Sequence, residues 1–72
     1  MIEVFKTTVK DANTASAIVI ALLRSMKNAC IINFDLDDCD NILRVEADHQ
    51  FDVEEVCAVL KSFGHSGSPL VG

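Results

Sequence analysis

Between Cys30 and Ala47 apolar and polar residues alternate in two back-to-back runs. Cys30, Ile32, Phe34 and Leu36 take turns with Ile31, Asn33, Asp35 and Asp37. Leu43, Val45 and Ala47 then take turns with Ile42, Arg44 and Glu46. A period of two puts successive side chains on opposite faces of an extended chain, so each run reads as a strand with one buried and one wet face. Asp38-Cys39-Asp40-Asn41 separates them. Asp and Asn bond their own backbone and tolerate left-handed φ, so this tetrapeptide is the expected turn of an antiparallel hairpin.

Upstream, Met1–Thr8 reads as a further strand, with Ile2 and Val4 on one face and Phe5 on the opposite face beside Glu3. The spacing becomes helical over Thr14–Asn28. There Ala15, Ile18, Val19, Leu22 and Met26 share a stripe, with Leu23 at its edge. Asp11 or Asn13 is the expected N-cap. Ile20 falls on the far side with Ala17, Ala21 and Arg24, and is expected to stay exposed. After the hairpin, Asp52 and Glu55 form a capping-box pattern, and Phe51 and Val56 are spaced as a hydrophobic staple. Val53, Val56, Cys57 and Leu60 make the buried stripe of this second helix, with Gly64 as its C-cap. The tail admits a short strand around Leu70 and Val71, which Pro69 confines to a sheet edge. The order predicts one α+β domain over residues 1–72 of the ferredoxin-like βαββα(β) type, a single antiparallel sheet with two helices on one face.

Composition narrows the function classes. Half of the residues are hydrophobic and 24% charged, which excludes a disordered chain. A formal charge of −5 argues against nucleic acid or an anionic membrane as partner, since both require a basic face. The longest apolar run, Ala17–Leu23, is far short of the roughly 20 residues that span a bilayer. Glu3 and Asp11 before that run, and Arg24–Asn28 after it, do not fit a signal peptide, so a cytoplasmic location is expected. Three irregularly spaced cysteines fit reduced thiols better than a disulfide framework.

Several short patterns occur together in order. They are Ile18 followed by Ala21-Leu22, the run Ile32-Asn33-Phe34-Asp35-Leu36, Leu43-Arg44-Val45, and Asp52–Gly64 with its Glu54-Glu55-Val56 and closing Phe63-Gly64-His65. Over nearly its whole length the chain thereby resembles the heavy-metal-associated domain family, the small modules of copper chaperones and metal-pumping ATPases. The resemblance implies the ferredoxin-like fold and a Met-x-Cys-x-x-Cys loop before the first helix. Counting back from Ala21-Leu22 places that loop on Val9–Thr14, with Asp11 and Thr14 in the two cysteine positions. Two soft thiolates grip Cu(I), whereas a carboxylate and a hydroxyl are hard oxygen donors. The resemblance therefore implies a scaffold without its metal loop, and neither metal nor cofactor is expected.

Other chemistry is sparse. Cys30 and Cys57 fall on apolar stripes, where free cysteine acts as a small hydrophobe. Cys39 sits in the hairpin turn among Asp37, Asp38 and Asp40, a setting that does not make a thiol nucleophilic. The acidic run has the oxygen donors of a calcium loop, but Asp40 stands where that loop needs glycine, and strand alternation already explains the run. No nucleophile lies near a histidine in a recognisable pattern and no Gly-rich phosphate loop occurs, so an enzyme is not expected. The expected function is a small binding or interaction module that contacts a protein partner or itself. Its candidate surface is Ile20 together with an open sheet face of Phe5, Ile31, Asn33, Arg44 and Glu46. The alternative is a metal-handling protein with a rearranged site of Cys39, His65 and Asp11. A small-molecule regulatory domain comes third, on fold analogy alone.

Overall fold

A computed structural model describes residues 1–27, 29–37 and 39–70. The elements run β1 (Ile2–Thr7), α1 (Ala12–Ser25), β2 (Cys30–Asp35), β3 (Ile42–Ala47), α2 (Val53–Ser62) and β4 (Gly67–Pro69). The strands form one antiparallel sheet in the order β2-β3-β1-β4, so β1 and β3 are interior while β2 and β4 are edges. The protein is thus a small α+β domain.

The expected hairpin is present, paired from Cys30↔Ala47 to Asp35↔Ile42. Directly opposed residues on an antiparallel ladder share a face. Ile32 with Val45 and Phe34 with Leu43 therefore make one side, and Ile31 with Glu46 and Asn33 with Arg44 make the other. In the turn, Asn41 takes a positive φ of 49°, a conformation Asn adopts more readily than most residues. Asp38 lies outside the described residues.

The face of β1 is the main correction. Phe5 pairs with Leu43 and Glu3 with Val45, so Phe5 belongs to the side of the sheet that is buried. It is fully buried, whereas Ile2 is 51% exposed. The open side is therefore carried by Ile2, Val4 and Lys6, not by Phe5. The physical reason is that β1 is apolar on both faces. Ile2 and Val4 on one side stand against Phe5 on the other, so its own alternation does not choose between them, and only its pairing to β3 orients it.

Ala15, Ile18 and Leu22 of α1 and Val56 and Leu60 of α2 form a single cluster with Phe5, Val9, Ile32, Leu43 and Val45. Both helices thus cover the Phe5 side. Each fully buried Leu, Ile or Phe contributes about 1.5–3 kcal/mol relative to exposure. Cys57, expected within the stripe, is only half-buried at the margin of this cluster, as are Val53, Cys30 and Phe51.

Local signals set the helix ends. Asp11 accepts from the Thr14 N–H at 2.9 Å, so α1 starts at Ala12, earlier than the apolar spacing suggests. It stops at Ser25 because Lys27 turns to a φ of 55°; Asn28, the expected end, lies outside the described residues. Asp52 caps α2 through the Glu54 N–H at 2.9 Å. Glu55 does not complete the expected box on its own helix; it accepts from the Ser25 hydroxyl and ties α2 to α1. Gly64, at a φ of 78°, closes α2. Its N–H bonds the Lys61 carbonyl at 2.9 Å and the His65 N–H bonds the Leu60 carbonyl at 3.0 Å, the paired bonds of a Schellman ending. The last strand forms over Gly67–Pro69, before the expected position. Leu70 still donates to the Val4 carbonyl at 2.8 Å, and Val71 lies outside the described residues.

Candidate functional site

The loop where the resemblance places a metal motif is held by oxygen and backbone contacts. Thr7, a buried polar residue, donates its hydroxyl to the Asn41 carbonyl at 2.6 Å and accepts from the Val9 N–H at 3.2 Å. Thr8 Oγ1 accepts from the Ser66 N–H at 3.1 Å and lies 3.0 Å from His65 Nδ1. The β1–α1 loop is thereby fastened to the hairpin turn on one side and to the segment after α2 on the other.

Asp11 and His65 come to this same end. The Thr14 hydrogen bonds hold the Asp11 carboxyl below its ordinary value of 3.8, with a smaller pull from the His65 charge. Cys39 is exposed in the turn, and the neighbouring Asp40 pairs with Lys6 at 3.5 Å. Among the described residues, no three His, Cys, Asp or Glu side chains converge on a position for a metal ion. The donor set does not fit Cu(I): Asp11 is engaged as a helix cap, and Thr14 offers only a hard hydroxyl. The remaining thiols serve packing. Cys57 Sγ donates to the Gly67 carbonyl at 3.3 Å, and burial pushes the Cys30 thiol up from its ordinary range.

The Asp11 arrangement has a pH signature. A carboxyl whose folded value is depressed contributes stability that is full above its unfolded value. That contribution is lost as pH falls through the folded one. Wild type is therefore expected to lose stability below about pH 4 more steeply than Asp11→Asn, which keeps the cap acceptor without the charge. Urea midpoints measured from neutral pH to pH 2 check this; parallel profiles count against it.

The candidate interaction residues separate. Ile31 (59% exposed) and Arg44 lie on the open side of the sheet as expected, with Asn33 and Glu46. Ile20 (52% exposed) lies elsewhere, on α1, lining a groove between that helix and β2. Phe5 belongs to neither surface. Ile2, Val4 and Leu70 join the open side, and sequence reasoning missed them; Ile42 lies there too, as its alternation with Leu43 implied. The available signal was the two-sided apolar character of Met1–Phe5, which shows that some large residue of that strand must face away from the helices.

The open side therefore presents aliphatic residues crossed by Lys6, Arg44, Glu46 and Asp35. No helix among the described residues is long and apolar enough to cross a membrane. No protein-family model matches the chain, and no curated protein matches it.

Proposed function

We propose that this chain is a small non-enzymatic binding module. It is a ferredoxin-like scaffold of the heavy-metal-associated type that lacks the Cu(I) cysteine pair and uses its surface to hold another protein. One observation carries this reading. The side of the sheet facing away from the helices presents Ile2, Ile31 and Leu70, each more than two-fifths exposed, among mixed charges. Aliphatic residues gathered on one uncovered face, with charges around them, suit a protein interface. The acidic balance favours a basic partner over nucleic acid, and the free Cys30, Cys39 and Cys57 suit a reducing compartment.

The double variant Ile2→Ser with Ile31→Ser tests it. Both positions are exposed, so the domain is expected to stay folded. Self-association in sedimentation velocity, or retention of wild-type binding partners, is expected to fall about tenfold. Unchanged association and an unchanged partner set would sink the proposal. Metal handling through Asp11, His65 and Cys39 ranks second. The pull of His65 on Asp11 favours it, but two neighbouring donors fall short of the three or four that a zinc site needs.

A further inference from the structure

β2 has β3 as its strand partner on one side, and among the described residues no strand lies along the other. That outer edge carries backbone N–H and C=O groups with no ladder to join. Sheets commonly blunt such an edge with lysine, proline or a short strand. The β2 sequence, Cys-Ile-Ile-Asn-Phe-Asp, has neither residue, and at six residues it is twice the length of β4, with three. It is thus the less protected of the two edges.

Alongside it runs an open groove of about 690 Å³ between β2 and α1. Val19 and Ile20 line it from the helix, and Ile32, Phe34 and Leu36 line it from the strand side. Ile20 is the large apolar residue of α1 that the core leaves exposed. The lining also includes Asp35 and Asp37 and contains no Lys or Arg. A strand edge, apolar side-chain sites and one sign of charge together describe a receptor for an extended basic segment. A second copy of this chain is a poorer occupant, because it brings the same carboxylates and a further −5 of net charge.

We propose that the β2 edge and its groove take a fifth strand, an extended segment of another protein. Alternate apolar side chains of that segment enter the groove against Val19, Ile20 and Phe34. Lys or Arg side chains between them lie on the opposite side of the added strand, near Asp35 and Asp37. This inference rests on the binding-module reading and adds a class of partner and a second docking place, the β2 edge, beside the open face of the sheet.

A displayed library of random short peptides, selected against the whole chain, tests it. The expected peptides alternate apolar and basic residues. The tightest of them slows hydrogen exchange of the outward β2 amides, a mark of strand addition that side-chain contact alone does not leave. Its affinity is expected to fall about tenfold with Ile20→Asp, and again with Asp35→Asn combined with Asp37→Asn. Peptides that leave β2 exchange unchanged, and are lost with Ile2→Ser and Ile31→Ser, overturn the edge proposal while leaving the binding-module reading standing. A dimer of this chain with protected β2 amides overturns the assignment of a foreign segment. A library that yields no binder to either surface overturns both.

Discussion

Phe5→Ala is expected to cost about 3–5 kcal/mol of stability, the range for truncating a core phenylalanine. A domain of this length holds only about 4–11 kcal/mol in total, so the variant should be barely folded at room temperature. The size of the effect follows from position. Phe5 is fully buried in the middle of an interior strand, opposite Leu43 on one neighbour and Pro69 on the other. Its ring fills the space where the sheet meets both helices, and no small shift of one element can close the resulting cavity. Ile2→Ala supplies the control, since Ile2 lies on the same strand but is 51% exposed. It is expected to cost at most about 1 kcal/mol. Urea unfolding distinguishes the two, with a lowered midpoint at unchanged slope for Ile2→Ala and loss of the native baseline for Phe5→Ala. A larger cost for Ile2→Ala than for Phe5→Ala would mean that the faces of β1 are assigned the wrong way round.

Gly67→Ala is expected to be the next most damaging change, at about 1–3 kcal/mol. A Cβ at this position meets Leu60 Cδ1 inside contact distance, with the Lys6 carbonyl oxygen 3.6 Å away. Leu60 is fully buried, so its methyl cannot swing into solvent to make room. The added methyl must instead push β4 from the sheet. β4 is held to β1 over only three residue pairs, so it gives way before the core does. Faster hydrogen exchange at the Leu70 amide, which bonds the Val4 carbonyl, and quicker labelling of Cys57, which bonds the Gly67 carbonyl, are the expected local signs. Gly64→Ala separates this packing effect from backbone strain. It sits at a φ of 78° with open space around the added methyl, so its cost of about 1–2 kcal/mol comes from the left-handed conformation alone. It should leave Cys57 labelling unchanged.

The two kinds of information about this protein divide along the range of the interactions involved. Periodicities and end signals act within a few residues, so the sequence by itself determined the β2–β3 hairpin, the Ala15-Ile18-Leu22 and Val56-Leu60 centres of the helix stripes, the Asp52 cap and the Gly64 ending. It also shows no cysteine, methionine or histidine in Val9–Thr14, so the loop before α1 offers no soft donor. The exposure of Ile20 was readable for the same reason, since it follows from angular position on one helix. What depended on pairing between distant segments was not readable. β1 is apolar on both faces, and only the Phe5↔Leu43 register turned Phe5 inward and left Ile2 and Val4 outside. Only the strand order made β2 an edge and set Ile20 beside it, so that one exposed side chain became the wall of a groove. Glu55 meeting Ser25, and His65 acting on Asp11, likewise needed the helices and loops to be packed. Local alternation states that a strand has two unlike faces, or two like ones; which of them meets the helices is decided by its neighbours in the sheet.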